Sequence, residues 1–184
     1  MKKRTIIKCF ATAIMLCVLS TCAIAQSKAD LKAVKKEAKT FEKEGWKVTP
    51  GYLSIQEQMA LSRPILIEQD KWIVREGKSV GTVYDVVQDN AEFVAASNIA
   101  KRIEEKIKGV EERGGIHEED SNPLSVAKYK EKANAQYAKE IKHPTTLMRC
   151  YRTLKDGKVE VLVRLAIRWD EQELIDEIEE LKEL

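Results

Sequence analysis

Cysteine is scarce in this chain outside its first 25 residues. Of the four cysteines, Cys9, Cys17 and Cys22 lie in the N-terminal segment, which leaves Cys150 alone in the rest. A single cysteine forms no disulfide within the chain, and the paired-cysteine motifs of zinc sites need at least two. The sequence therefore predicts a domain that is held together by the packing of its side chains.

An excess of one charge and long apolar runs are missing as well. The first 25 residues carry four of the 32 Lys and Arg and no acid, so 28 basic and 30 acidic residues remain, a net charge of −2. This balance does not indicate a nucleic-acid partner, which typically binds a strongly basic surface. The longest apolar run, residues 9–20, is shorter than the ~20 residues that cross a bilayer.

The N-terminal segment has the three parts of a signal peptide. Lys2, Lys3 and Arg4 form a charged start, residues 9–20 form an apolar centre, and Ala23-Ile24-Ala25 fits a small-x-small cleavage site. We expect residues 1–25 to be a signal peptide and residues 26–184 to form a single domain of sufficient length to bury a core. The protein is therefore expected to be exported, either to the periplasm or out of the cell.

A second processing site keeps another location open. Leu19-Ser20-Thr21-Cys22 is similar to a lipoprotein box, in which the cysteine is lipidated and becomes the first residue of the mature chain. Thr21 is bulkier than the Gly, Ala or Ser usual before that cysteine, so cleavage after Ala25 is favoured. Membrane association is expected only if Cys22 is lipidated, because the lipid would tether the domain.

Hydrophobic periodicity and helix-start signals predict an α+β domain. Helices are expected after Ser27, from Ser54 to Arg63 with Pro64 ending it, after Thr82, after Asn122 and after Asp170. Short β-type runs at residues 65–67 and 72–74 predict one hairpin, and runs at residues 145–154 and 159–169 predict another. We therefore expect a small antiparallel or mixed sheet, including the C-terminal hairpin, packed against long helices on one face.

The C-terminal hairpin is the clearest element of the sequence. Asp156-Gly157 lies between two runs that alternate apolar and polar residues, a combination typical of a tight two-residue turn. With this dipeptide as the turn, Cys150 faces Val163 and points toward the core, where a cysteine behaves as a small hydrophobe.

The opposite face of this hairpin carries a candidate partner surface. In the same register Arg149 lies opposite Arg164, and like charges across a strand pair repel each other unless an acid, an anion or a partner lies between them. Arg168, Tyr151 and Leu162 share this face, so it is not purely polar. We predict that these five residues contact a partner. The alternatives are that the acidic C-terminal helix or solvent compensates the charges of the arginines, or that another helix covers the face.

Motifs for nucleotide binding are incomplete. Gly77-Lys78-Ser79 matches the end of a P-loop, but Trp72 occupies the position of the first glycine, which must let the loop wrap the phosphates. We interpret the stretch as a strand exit, in which Gly77 and Gly81 let the chain turn toward the long helix.

Motifs for metal binding and catalysis are equally weak. Residues 117–120, His-Glu-Glu-Asp, offer potential ligands within one polar loop, whereas metal sites usually take ligands from separate rigid elements. Cys150 as a nucleophile is disfavoured because it points into the core. The sequence therefore predicts no catalytic residue, no cofactor and no metal.

Three stretches together resemble a known group of proteins. They are "KKEAKTFEKEGWKVTPGYLSIQEQMALS", "WIVREGKSVGTVYDVVQDNAEFVAASNIAKRIEEKI" and "MRCYRTLKDGKVEVLVRLAIRW". They resemble small, uncharacterised secreted proteins of Bacteroides-type bacteria, and the order of strand, Gly-x-x-x-Gly, long helix and terminal hairpin is similar to the LPP-twenty-like envelope lipoproteins. The resemblance implies an α+β envelope domain and brings no site residues.

These observations favour a non-enzymatic domain, exported or attached to the cell envelope, that binds an unidentified protein or envelope component. The alternative is a small-ligand-binding protein or an enzyme whose site is assembled from residues distant in sequence. A deep cavity with buried ionisable groups would favour that alternative, whereas a flat apolar face would favour a partner.

Overall fold

The computed structural model describes residues 28–112 and 123–180 of the chain. Within these residues the chain forms five helices and three strands, which confirms the predicted α+β class. In chain order they are α1 (Lys28–Lys43), α2 (Ile55–Ile67), β1 (Trp72–Gly81), α3 (Tyr84–Glu112), α4 (Pro123–Glu140), β2 (Thr145–Thr153), β3 (Val159–Arg168) and α5 (Glu171–Glu180). The predicted signal peptide and lipoprotein box lie outside the described residues.

The three strands form one antiparallel sheet in the order β1-β3-β2. The central strand β3 is buried over residues 161–167 except at Arg164, whereas β1 and β2 alternate more. A strand that is covered on both faces carries such a nearly continuous apolar run. The two edge strands are β1 and β2, and their outer sides determine which surfaces the fold offers to other molecules.

Helix α3 packs against one face of the sheet. Ala91 and Ala95 are fully buried there, and β1 comes so close that a Cβ atom on Gly77 would lie 2.0 Å from the carbonyl oxygen of Ala91. Further along the helix Ile99 and Ile103 join the same core, to which α4 and α5 also contribute. The small side chains of these alanines allow the close approach of the sheet.

Helices α1 and α2 cover the second face of the sheet. The buried side chains of this second core are Val34, Ala38, Trp46, Ile55, Met59, Met148, Cys150 and Leu162. The expectation that the long helices lie on one face only is therefore wrong. The apolar residues at even positions of β3 are as buried as those at odd positions, because a helical layer lies on each side of the central strand.

The predicted first hairpin does not exist. Residues 65–67 belong to α2, which continues through Pro64, so that the predicted end of the helix at Arg63 is also wrong. The hydroxyl of Ser62 donates to the carbonyl of Gln58 (2.8 Å) and helps to hold the turn before Pro64. The backbone amide of Glu68 donates to the carbonyl of Pro64 (3.2 Å), which closes the last turn of the helix.

The hairpin of β2 and β3 is confirmed, but its register differs by one residue from the predicted one. The amide of Leu154 donates to the carbonyl of Lys158 (2.8 Å), which leaves a three-residue loop whose last residue, Gly157, has a φ of +81°. A three-residue loop that ends in a left-handed glycine shifts the pairing relative to a two-residue turn. Cys150 consequently lies opposite Leu162, one position from its predicted partner.

Candidate partner-binding groove

Two contacts from the region around α1 and α2 close part of the outer edge of β2. The Oε1 atom of Gln58 accepts from the amide of Arg149 (2.7 Å), and its Nε2 atom lies 3.4 Å from the carbonyl oxygen of Arg149. The backbone of Lys47 exchanges two hydrogen bonds with that of Tyr151, at 2.7 and 2.8 Å. These bonds satisfy the edge backbone at both residues and fix α2 beside β2.

Next to these contacts, α2 and β2 line an open groove of about 420 Å³. Its lining is mostly apolar and consists of Tyr52, Leu53, Gln58, Leu61, Ser62, Ile65, Thr145, Thr146, Leu147 and Arg149. Among these residues Tyr52 is 59% exposed, Leu53 48% and Leu61 67%. Large apolar side chains that are exposed singly are ordinary, but their concentration around one groove is typical of a contact surface.

The geometry of α2 explains why these side chains face outward. A capping box between Ser54 and Glu57 starts the helix, with the Ser54 amide donating to the Glu57 carboxylate at 2.8 Å. Ile55 and Met59, one turn apart, are then buried against the sheet. Leu61, which lines the groove, is exposed on a different side, so α2 is apolar on more than its core-facing side.

Arg149 supplies the positive charge among the residues that line the groove. Its Nη2 atom lies 2.5 Å from Oε1 of Glu92 on α3, and its guanidinium carbon lies 5.9 Å from the ring centre of Tyr52. The pair with Glu92 neutralises the charge, while the contact with Tyr52 helps to position that ring at the groove. The groove is therefore suited to an apolar, uncharged group.

The predicted pairing of two arginines across the hairpin is wrong. With the register shifted by one residue, Arg149 lies opposite Val163, whereas Arg164 lies opposite Met148. Opposed residues share a face of the sheet and neighbouring residues alternate, so the two arginines point to opposite faces. The repulsion that suggested a missing partner does not arise.

The five residues of the predicted partner surface do not come together. Each arginine meets an acid within the chain, and the pairs are Arg149 with Glu92, Arg164 with Glu76, and Arg168 with Glu173. Leu162 is 1% exposed beneath α1 and α2, and Tyr151 is half-buried against Tyr84. Acidic side chains and helices of the same chain thus contact most of these residues. A partner contact at the exposed Arg168 stays a prediction.

Cys150 is placed as a core residue, and its surroundings as a whole disfavour the thiolate. It is 1% exposed, and burial, with a smaller effect of the Glu76 charge, raises the pKa of its thiol to about 12. A nucleophilic cysteine needs the opposite shift, toward the thiolate. The location of Cys150 in the core agrees with the sequence-based expectation.

The stretch Gly77-Lys78-Ser79 lies inside β1, paired residue by residue with β3. The interpretation of this stretch as a strand exit is wrong, because the strand continues to Gly81, and the helix begins at Tyr84 rather than directly after Thr82. A straight strand offers no loop that could wrap phosphates. Nucleotide binding at this stretch therefore gains no support from the fold.

Residues 117–120, the stretch considered and disfavoured as a metal site, lie outside the described residues. Within residues 28–112 and 123–180, no group of three or more His, Cys, Asp or Glu side chains is arranged to hold a metal ion. In the same part of the chain no helix combines the length and the apolar composition needed to cross a membrane.

The sequence does not predict the groove, because the proline signal indicates that α2 ends at Arg63. With a helix that stops at Arg63, Ile65 is assigned to a strand and the groove has no floor on that side. The available signal was Leu61, which lies out of phase with the core positions Ile55 and Met59.

Comparison with known proteins provides no site to transfer to this chain. No family model, curated protein sequence or solved structure matches it.

Proposed function

We propose that this protein is a non-catalytic, exported domain that binds an apolar segment of a partner protein in the groove between α2 and β2. The observation that carries the proposal is the concentration of the exposed side chains Tyr52, Leu53 and Leu61 around one groove. Aromatic and aliphatic side chains at the centre of a contact typically contribute most of its binding energy.

The side chains that line the groove favour an apolar occupant over a charged one. The one charge at the margin, on Arg149, already has Glu92 as its partner within 2.5 Å. Thr145 and Thr146 on β2 are exposed beside the groove and offer hydroxyls and backbone groups to a polypeptide. A partner segment could therefore bury apolar side chains between Leu61 and Tyr52 while its backbone meets polar groups at the rim.

Export is part of the proposal and is supported by the signal-peptide pattern of residues 1–25 and by the resemblance to secreted and envelope proteins. Mass spectrometry of the mature N-terminus decides between the two processing sites. A free N-terminus at Gln26 supports release by cleavage after Ala25, whereas an acylated Cys22 would show attachment to a membrane.

A test of the groove compares affinity capture from envelope extracts by three purified forms: the wild type, Leu61→Asp and Phe93→Asp. Phe93 is a matched control, because it is 72% exposed but lies on α3, on the other side of the sheet. A captured protein that is identified, purified and shown to bind wild type directly should bind Leu61→Asp about tenfold or more weaker, since burial of one leucine contributes about 1.5–3 kcal/mol.

The control separates loss at the groove from a general loss of binding. The account predicts that Phe93→Asp binds the purified partner as wild type does. Equal binding by Leu61→Asp and wild type, or selective loss with Phe93→Asp, would contradict the proposal.

A small apolar ligand is the second candidate, and the size of the groove favours it. A volume of about 420 Å³ lies within the range of roughly 300–1,000 Å³ that is typical of ligand sites. Native mass spectrometry of the purified protein distinguishes the two candidates. A bound small molecule that is lost in Leu61→Asp would support this candidate and contradict the proposal of a protein segment.

A further inference from the structure

The strand β1 forms the edge of the sheet opposite to the groove, and its outer side is open. The amide of Trp169 donates to the carbonyl of Lys71 (2.8 Å), so this pair starts the hydrogen-bonded alternation between β1 and β3. Residues at even positions of β1 consequently direct their backbone N–H and C=O groups away from β3. They are Trp72, Val74, Glu76, Lys78 and Val80.

Part of this edge is already occupied by side chains. The carbonyl of Val74 accepts from Nη1 of Arg75 (2.8 Å), and the carbonyl of Glu76 accepts from Nδ2 of Asn98 (2.9 Å). Within the described residues no side chain bonds the backbone of Lys78 or Val80, and Val80 is 50% exposed. An exposed edge of this kind is a template for another strand.

The sequence of the edge is complementary to itself when a second copy is placed antiparallel and centred on Gly77. In that register Glu76 lies opposite Lys78 of the second copy, and Val74 lies opposite Val80 of the second copy. The same two pairs recur on the other side of the twofold axis. Each pair joins outward-directed residues, so the two strands can exchange backbone hydrogen bonds.

Charge selects this register over its neighbours. A shift by one pair in either direction places Glu76 opposite Glu76, or Lys78 opposite Lys78, and like charges directly opposite each other are destabilising. Lys78 is exposed and has no ion-pair partner in the part of the chain that the structure describes. The Oε1 atom of Glu76 forms an ion pair with Nη2 of Arg164 at 2.5 Å. The second carboxylate oxygen of Glu76 can accept from Lys78 of the other copy.

There is space beside the edge for another strand. An open groove of about 640 Å³ lies beside the first half of β1, lined by Trp72, Val74 and Glu76 on the strand and by Leu66 and Arg102 on the flanking helices. The carbonyl of Glu76 has a second lone pair, so an incoming amide can bond it without loss of Asn98. The side chain of Arg75, which bonds the carbonyl of the neighbouring Val74, can move aside.

We propose that a second copy of this chain pairs with β1 edge to edge, which joins the two three-stranded sheets into one six-stranded antiparallel sheet with a twofold axis at Gly77. This interface is independent of the groove between α2 and β2, because it uses the opposite edge of the sheet. The dimer would present two grooves on outer edges, so a partner with two apolar segments could bind both.

Sedimentation equilibrium of the protein, expressed from its whole sequence, tests the proposal together with three variants at position 78. Wild type is expected to have the mass of two copies. Lys78→Pro removes an outward N–H together with the ammonium group, and should be a folded monomer, since proline is tolerated where an edge strand faces solvent. Lys78→Glu should raise the dissociation constant by about tenfold or more, and Lys78→Ala by less.

Two further readings complete the test. Circular dichroism identical to wild type shows that Lys78→Pro has kept its fold, and hydrogen exchange at the amide of Val80 should be slow in the dimer and fast in this variant. The proposal is wrong if wild type has the mass of one copy at every concentration. It is equally wrong if folded Lys78→Pro stays dimeric or if Phe93→Asp, on the outer side of α3, dissociates the dimer.

Discussion

At the scale of single residues, Gly77 has a different role from the one that its sequence context suggests. The Gly-Lys-Ser motif and the nearby Gly81 indicate a turn, but Gly77 has an ordinary strand backbone and no positive φ. Its missing side chain lets β1 approach α3, because an added Cβ would lie 2.4 Å from the amide nitrogen of Ala95 as well as against Ala91. The glycine is required for packing rather than for backbone freedom.

We predict that Gly77→Ala lowers the free energy of unfolding by about 1–3 kcal/mol or more, because backbone atoms of α3 must move. Gly81→Ala should cost less, since its added Cβ meets a side-chain atom of Val87 at 2.7 Å, whereas that of Gly77 meets the helix backbone. Lys101→Ala, at an exposed position of α3, is the control and should change stability by less than about 0.5 kcal/mol. Urea unfolding measures all three. A Gly77→Ala protein as stable as Lys101→Ala would refute the close approach.

Cys150 provides a prediction on pH dependence. Its pKa in the folded chain is about 12, against 9.0 in the unfolded chain, so above about pH 9 the unfolded chain loses a proton that the folded chain keeps. The free energy of unfolding should therefore fall as the pH rises from about 9 toward 12. Cys150→Ala should weaken this dependence, as urea unfolding at several pH values would show. Rapid reaction of the native thiol with a thiol reagent at about pH 8 would contradict its burial.

At the scale of elements, the sequence predicts which segments are helix and strand better than where they end or how they pair. The hairpin was predictable because Asp156-Gly157 separates two alternating runs. Its register was not, because both a two-residue and a three-residue loop accept this dipeptide, and the choice is made by packing on both faces. Leu162 and Val163 are equally apolar, so alternation alone does not say which of them faces Cys150.

The continuation of α2 past Pro64 has the same kind of cause. Local preference ends a helix before proline, but here Met59 and Ser62 are buried against the sheet and hold the helix in place. Tertiary contacts therefore override the local preference of the sequence. Because the groove depends on the last turn of α2, a prediction that ends the helix at Arg63 also omits the groove.

Gln58 connects α2 to the edge of β2, so its replacement tests how these two elements are held together. Gln58→Ala removes the acceptor 2.7 Å from the amide of Arg149 and should lower the free energy of unfolding by about 1–2 kcal/mol. The amide of Arg149 should also exchange faster with solvent, whereas that of Tyr151, bonded to Lys47, should keep its protection. Gln56→Ala, at an exposed position of the same helix, is the control. Unchanged exchange at Arg149 would contradict this role.

At the scale of the whole molecule, one sheet carries two cores and leaves two edges of different character. The edge at β2 is partly closed by Gln58 and Lys47 and adjoins an apolar groove, while the edge at β1 is open and carries charges of both signs. The sequence predicted the α+β class but placed on one face of the hairpin residues that the register divides between two faces, each covered by helices. Finding that second layer requires knowledge of how distant segments pack.

The proposed function rests on the groove, so the most direct measurement is site-specific photo-crosslinking in cells that express the protein from its whole sequence. A photoreactive residue replaces Leu61 in one form and Phe93 in a control of similar exposure. The account predicts a defined protein adduct from position 61 that is absent at position 93 and is lost when Tyr52→Asp is added. No protein adduct at position 61, or the same adducts at both positions, would contradict the account.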